Sequence, residues 1–215
     1  MPRLPLFPLG TVLVPGAALP LQIFEPRYLV LLGDLIEALA EPEFGVVAIR
    51  QGHEVGADAV RDLHEVGCVA RASHAVTIGE GRFLLLSEGS RRFHLDAIDT
   101  AAGTAYLTGS VTWLGEPEGD PVAVAELASR LRLALVSYTE SVGLEATEWP
   151  QDPWALSYAV GSAIGLDLGE RQDLLSAPDT ATRLRMALRL VRREHALADR
   201  LRVLPHPPER PMNLN

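Results

Sequence analysis

The chain has 215 residues, a net charge of −9 and 47% apolar side chains, enough to bury a sizeable core. All 19 positive side chains are arginine, so the chain lacks the lysine of a phosphate loop, a Schiff base or a Ser–Lys catalytic pair. The acidic balance also argues against nucleic-acid binding over the whole surface.

The N-terminal residues predict an irregular strand that runs directly into a helix. Prolines at positions 5, 8, 15 and 20 exclude a helix and a fully paired central strand, so we expect an edge or bulged strand. Pro26 suits the first helical position, because the amide proton it lacks would be unpaired there anyway. Leucine and isoleucine then recur at helical spacing to about residue 40. The residues that this junction should bring together are Phe24, Glu25, Arg27 and Tyr28.

The middle of the chain predicts strands. A short apolar run at 44–49 indicates a buried strand, and a polar loop follows it to about residue 63. Residues 66–78 alternate in polarity, which predicts one buried face that includes Val76 and Ile78. A glycine-rich turn at 79–81 then indicates a hairpin, with a long returning strand to residue 98 and a bulge at Gly89.

After about residue 117 the apolar period becomes helical. A polar, turn-rich linker at 115–121 precedes four expected helices, of which the last begins at the cap residue Asp179. Strands first and helices second predict an α+β protein rather than an alternating βαβ one. The expected parts are a β subdomain at 1–117, a helical subdomain at 118–204 and a flexible proline-rich tail at 205–215.

Several short motifs occur along the chain in a distinctive order. The first is Leu4-Pro5-Leu6-Phe7-Pro8-Leu9-Gly10, and the others lie at 15–16, 20–28, 45–47, 66–70, 81–93, 171–175 and 183–184. With this order and spacing, the chain resembles the Lon protease N-terminal domain family, the Lon substrate-binding domain, over about residues 3–204.

The resemblance implies a PUA-like pseudo β-barrel followed by an α-helical bundle, which agrees with the change of period. In full-length Lon this domain precedes an ATPase and a peptidase module, for which 215 residues leave no room. We therefore expect a stand-alone, non-enzymatic member without cofactor or metal. It would bind exposed apolar or unfolded polypeptide, or a partner protein.

The strand-to-helix junction holds the first candidates for binding, because the family presents a surface near its substrate-contacting side there. Phe24 and Tyr28 would supply rigid apolar contact, and Arg27 would supply a directed donor beside Glu25. The alternative is purely structural. It consists of a helix cap, an Arg–carboxylate pair and a packed tyrosine.

Arg91 and Arg92 in the second half of the hairpin are the next candidates. An exposed sheet edge beside two arginines could accept an extended peptide as an added strand. The alternative is an ordinary pair of solvated residues near the end of a strand.

The last helix is the most basic element of the chain, with seven arginines between 183 and 202. One interpretation is a surface for RNA or for an acidic partner, and this gives the alternative function of an RNA-binding module. The other is a solvated face that pairs with acids of the preceding helices. The stripe lacks interleaved aromatic residues, which favours the second interpretation.

The sequence contains no recognisable catalytic or metal-binding pattern. His64, Cys68 and His74 match no common zinc spacing, and no nucleophile elbow is present. The single cysteine excludes an internal disulfide, and residues 1–20 lack the pattern of a signal peptide. No window approaches the ~20 apolar residues of a membrane span. We therefore expect a soluble cytoplasmic protein.

Overall fold

The structure, a computed structural model, describes residues 2–37, 42–54, 60–145 and 148–201. The chain divides into two compact units. Unit one comprises Met1–Glu116 and Leu166–Ser176, and unit two comprises Pro117–Gly165 and Ala177–Asn215. The elements in chain order are β1 (Arg3–Leu9), β2 (Ala18–Ile23), α1 (Pro26–Glu37), β3 (Glu43–Gly52), β4 (Val60–Leu63), β5 (Val66–Gly79), β6 (Arg82–Ile98), β7 (Thr108–Trp113), α2 (Pro121–Ser141), α3 (Pro153–Ala163), α4 (Leu168–Ser176) and α5 (Thr180–Leu201).

Unit one is built on a closed ring of strands. The order β1–β7–β6–β5–β3 is antiparallel at each step, and β1 pairs with β3 in parallel to complete the ring. β2 adds to the first half of β6, and β4 adds to the end of β3. This architecture confirms the predicted α+β class and the barrel-like arrangement of strands ahead of most of the helices. The loop predicted up to residue 63 is corrected, because it contains β4.

The prolines of β1 prevent full pairing, as the sequence predicted, but β1 is not an edge strand, because β7 and β3 flank it. Arg3, Leu4 and Pro5 pair with β7, and residues 6–9 pair with β3, so no residue of β1 has a ladder partner on both sides. Proline, which has no amide proton, is therefore tolerated in this strand, because each residue of β1 needs ladder hydrogen bonds to only one neighbouring strand.

The ring encloses a small apolar core centred on Phe93. A side chain at Gly45 or Gly67 would place its Cβ 2.8 Å or 2.5 Å from Phe93 Cζ, so the ring of Phe93 occupies the space beside both glycines. The buried residues of this core are Leu4, Leu6, Val47, Val69, Phe93 and Val111.

The hairpin β5–β6 extends beyond the ring. Its turn has positive φ angles at Gly79, Glu80 and Gly81, which confirms the turn that the two glycines predicted. The expected burial of Val76 and Ile78 is wrong, because both side chains are about half exposed. The β3 ladder on β5 ends at Arg71, and the bulge after Ala72 separates the outer half of the strand from the buried half.

Helix α4 belongs to unit one, although the sequence placed all of 118–204 in one helical subdomain. Gln172 Nε2 donates a hydrogen bond to the carbonyl of Val66 in β5 over 2.9 Å, and Leu175 O accepts from Arg92 in β6 over 2.7 Å. These two polar contacts to strands account for the difference from the predicted boundary. The predicted tail at 205–215 lies outside the described residues.

Unit two contains α2, α3 and α5, and an aspartate caps each of them. Asp120, Asp152 and Asp179 accept hydrogen bonds from backbone amides of the first turns, which confirms the predicted cap at Asp179. One member of the predicted basic stripe is not solvated. Arg183 is completely buried, stacks 4.0 Å from the centre of the Tyr158 ring and donates to Ser157 Oγ.

Candidate functional site

The predicted residues at the strand-to-helix junction take different environments. Glu25 O accepts from the amides of Tyr28 and Leu29, which starts α1 immediately after β2. Arg27 forms an ion pair with Glu25 at 3.1 Å, and both side chains are largely buried. Only Phe24 is well exposed, at 49%. The junction therefore presents Phe24 to solvent and uses its charged pair internally.

Tyr28 is part of the core beneath this junction. The Tyr28 ring stacks on Phe7 with 3.9 Å between centroids. The guanidinium of Arg27 lies 4.5 Å from the centroid of the same Tyr28 ring. Burial raises the pKa of Tyr28 to about 12. The Tyr28 hydroxyl is buried and has no hydrogen-bond partner. Arg27 also donates to Glu54 O over 3.0 Å, so the pair Arg27 and Tyr28 secures α1 to its neighbours.

Arg91 and Arg92 point to opposite sides of β6, as adjacent residues of a strand must. Arg91 is exposed, lies 2.8 Å from Glu43 and stacks 4.1 Å from the centre of the Trp113 ring. Arg92 is 2% exposed. It donates to Glu116 at 2.6 Å and to Gly115 O at 2.8 Å, in addition to Leu175 O.

The roles of these two arginines follow from their positions. Arg92 binds a carbonyl in the last turn of α4, where the helix dipole favours a positive charge, and it fixes the chain segment at 115–116. Arg91 lies where the exposed edge of β5 begins. Its ion-pair partner Glu43 pairs with Arg71 in the sheet, and the ladder between β3 and β5 ends at that pair. Of the two, only Arg91 is placed to meet a partner molecule.

The edge beside Arg91 belongs to residues 72–79 of β5. Among the described strands only β6 pairs with this segment, through the ladder that continues to Gly79 and Arg82. The amide of Ala72 donates to Pro42 O over 2.9 Å and makes the last contact toward β3. A sheet edge of this kind presents backbone donors and acceptors to whatever lies beside it.

The two faces of the outer hairpin differ. On one face Val76, Ile78 and Leu86 are exposed, and the cross-strand register places Val76 opposite Leu84 and His74 opposite Leu86. The other face lies against α1, where Leu85 is buried. The exposed face is therefore an apolar surface on two paired strands.

Between α1 and β5 a groove of about 230 Å³ opens beside the edge. Among the described residues, no Asp, Glu, Lys or Arg lines it. The lining residues are Leu32, Leu35, Ile36, Pro42, Ala72, Ser73, His74, Ala75 and Leu85. Sequence reasoning missed this groove, because its walls come from a helix and a strand about 40 residues apart. Ile36 belongs to the apolar pattern that predicted the helix, yet its side chain is 68% exposed in the structure.

The cysteine and one histidine of unit one have shifted pKa values. Burial raises the pKa of Cys68 to about 12, so its thiol is not a reactive nucleophile. Burial, followed by the charge of Arg50, lowers the pKa of His64. Within the described ranges no three His, Cys, Asp or Glu side chains come together as a metal site. None of the described helices is long and apolar enough to span a membrane.

The family model described as the ATP-dependent protease La (LON) substrate-binding domain matches residues 3–193. The chain belongs to this family. A comparison with curated proteins found no match to this Lon substrate-binding domain.

Two solved structures have the same fold as this Lon substrate-binding domain. The Lon N-terminal domain protein from Xanthomonas campestris is 24% identical, with a TM-score of 0.60 over 88% of this chain and 98% of that one. The N-terminal domain of the Mycobacterium avium complex Lon protease is 18% identical, with a TM-score of 0.66 over 89% and 98%. At these identities the likeness concerns the fold alone.

Proposed function

We propose that this protein is a non-catalytic binding module of the cytoplasm that holds exposed apolar segments of unfolded polypeptide or of a partner protein. The observation that carries the proposal is the apolar face of the outer hairpin, where Val76, Ile78 and Leu86 lie exposed on paired strands. Membership of a substrate-binding domain family supports binding as the role. Phe24, exposed where β2 runs into α1, is a further contact in this proposal.

The size of the apolar face bounds the affinity that it can supply. Val76, Ile78 and Leu86 are each about half exposed, so burying the remainder is worth on the order of 1 kcal/mol apiece. A dissociation constant of ~1 μM requires about 8 kcal/mol. The apolar face therefore accounts for recognition of apolar character, and additional contacts must contribute the rest.

The RNA-binding alternative receives no support from the family or the structural relatives. On α5, Arg183 is buried and Arg193 is paired with Glu194 at 2.7 Å. Helix α5 carries no Phe, Tyr or Trp side chain on which a base could stack. We therefore do not extend the function to nucleic acid.

The test is binding of a permanently unfolded, fluorescently labelled polypeptide, measured by anisotropy. Replacing Val76 and Leu86 together by serine should weaken binding at least tenfold, about 1.4 kcal/mol, because the apolar face is lost. The matched control replaces Leu133 and Val136 on α2, which are also apolar and exposed but lie in unit two. The control should bind as the parent protein does.

The same preparation tests the absence of catalysis. Incubation of the polypeptide with the protein and ATP should leave it uncleaved when the mixture is separated by electrophoresis. Cleavage by the purified protein would contradict a purely binding role. Equal loss of binding in the hairpin variant and the α2 control would contradict the assignment of the site.

A further inference from the structure

We propose that the outer edge of β5, residues 72–79, takes up an extended polypeptide segment as an additional strand, with one of its apolar side chains in the groove beside α1. This inference rests on the proposed function and specifies how the polypeptide is held. Its components are the unpaired edge, the charge distribution along it and the groove.

The edge defines the chemistry of its occupant. From residue 72 onward β5 pairs only with β6 among the described strands, so its outer backbone groups face away from the sheet. A partner that satisfies them must offer donors and acceptors in alternation, at the ~3.4 Å repeat of an antiparallel strand. An extended polypeptide backbone has this pattern, and main-chain pairing adds affinity that the apolar face lacks.

The edge lacks two features that usually prevent strand pairing, proline and charge, although its register shifts after Ala72 and after Thr77. Natural edge strands are protected by proline, by charged side chains or by an inward-facing charge. The opposite edge of the same three-stranded part is β2, and it carries Pro20. Residues 72–79 contain neither proline nor any Asp, Glu, Lys or Arg. The β5 edge is therefore open to pairing, and the β2 edge is protected.

Charges at the two ends of the edge set the length and composition of the segment. Arg91, paired with Glu43, marks the end beside the barrel, and Glu80 with Arg82 marks the turn. The uncharged stretch between them spans eight residues of β5, roughly 26 Å at strand spacing. This distribution is complementary to a segment of about seven uncharged residues with charged residues only outside it.

The groove sets the side-chain preference. Side chains of an added strand alternate between the two faces of the sheet. Those on one face enter the groove toward Leu32, Leu35 and Ile36, and those on the other lie beside Val76 and Ile78. The expected ligand is therefore an extended segment of apolar residues, with a large apolar residue where the groove of about 230 Å³ opens.

A set of synthetic peptides tests strand addition directly. The parent probe is a labelled nine-residue peptide of alternating leucine and threonine with one charged residue at each end. Two derivatives carry backbone N-methyl groups on either the odd or the even residues. Because only alternate amides of an added strand face β5, one derivative should lose binding at least tenfold and the other should retain it. Equal binding of all three would overturn strand addition.

A pair of variants tests the groove. Ile36 is 68% exposed at the rim of the groove, and Val30 is 47% exposed on the same helix but does not line it. The substitution Ile36→Asp should weaken binding of the parent peptide at least tenfold, and Val30→Asp should leave it unchanged. Both positions face solvent, so both variants should fold, which circular dichroism verifies. Equal behaviour of the two variants would overturn the assignment of the groove.

The outcomes separate this inference from the proposed function. Binding of unfolded polypeptide without binding of the alternating peptide would overturn the edge site and leave the binding role intact. Failure of both would overturn both. Sedimentation of the protein alone tests whether a second copy of the chain occupies the edge. A concentration-dependent dimer that Ile36→Asp disrupts and that the peptide cannot dissociate would assign the edge to a second copy and overturn the inference.

Discussion

The two halves of the β5–β6 hairpin differ in their neighbouring strands and in their burial. In the inner half, β3 and β7 flank the pair, and Cys68, Val69, Ala70 and Phe93 are completely buried. In the outer half, β6 is the only described strand that pairs with β5, and Val76 and Ile78 are half exposed. Similar apolar side chains thus serve stability in one half and remain available for contact in the other.

The difference shows that the neighbouring strands, and not the composition of the strand itself, determine whether these side chains are buried or exposed. Two adjacent arginines make the same point, since Arg92 bonds to the linker and to α4 while Arg91 lies on the surface. If the comparison is correct, substitutions in the inner half should cost stability, and substitutions in the outer half should cost binding.

The largest expected effect is at Phe93. Replacing it by alanine should destabilise the protein by about 3–5 kcal/mol, because the cavity lies beside Gly45 and Gly67, which have no side chains to fill it. Urea titration followed by circular dichroism measures the change. The control is Leu86→Ala in the outer half, which is partly exposed and should cost less than about 1 kcal/mol. Similar costs at the two sites would contradict the division of the hairpin.

The adjacent arginines provide the next contrast with a single type of substitution. Arg92→Met should cost about 3 kcal/mol, because Glu116 and the carbonyls of Gly115 and Leu175 lose a shared donor. Arg91→Met should cost less than about 1 kcal/mol, since Arg91 is about half exposed and Arg71 still pairs with Glu43. The midpoints of urea unfolding measure both losses of stability. An equal loss for the two variants would contradict a structural role for Arg92 and a surface role for Arg91.

Local features of this chain were predictable because neighbouring residues determine them. Pro26 at the start of α1, the turn at residues 79–81 and the cap Asp179 all follow from backbone conformations that few residue types favour. Motif order was sufficient for the family and therefore for the fold. These predictions required no knowledge of which distant segments meet.

The candidate site was less predictable, because distant segments create it. Alternation in β5 predicted one continuous buried face, but it does not reveal the bulge after Ala72, or that the β3 ladder ends at Arg71 and leaves Val76 uncovered. The buried position of Tyr28 depends on its stacking with Phe7 from another strand. The roles of Phe24, Glu25, Arg27, Tyr28, Arg91 and Arg92 in binding stay predictions, and the structure favours Phe24 and Arg91 among them.

A smaller effect is expected at Tyr28, which belongs to the stable part of unit one. Its hydroxyl is buried without a partner, so Tyr28→Phe should keep the stacking on Phe7 and change stability by no more than about 1 kcal/mol, in the stabilising direction. Urea titration at pH 7 measures this. A clear loss of stability would contradict the conclusion that the buried Tyr28 hydroxyl has no hydrogen-bond partner.

The same substitution has a defined pH dependence. Burial raises the pKa of Tyr28 to about 12 from 10.0, so above pH 10 the unfolded chain releases a proton that the folded chain retains. The contribution of Tyr28 to stability is therefore complete below pH 10 and is lost as the pH rises toward 12. Because Tyr28→Phe removes this loss, its advantage over the parent protein should be larger at pH 11 than at pH 7.

The smallest change in stability is expected for Ile78→Thr in the outer half. Threonine keeps the branched shape and the strand preference, and the side chain is already half exposed, so unfolding should shift by no more than about 0.5 kcal/mol. Binding of unfolded polypeptide should nevertheless weaken, because the substitution replaces part of the apolar face by a hydroxyl group. Anisotropy and urea titration on the same sample measure the two quantities. Unchanged binding with unchanged stability would remove Ile78 from the site, and a loss of several kcal/mol would mean that the outer half is packed like the inner half.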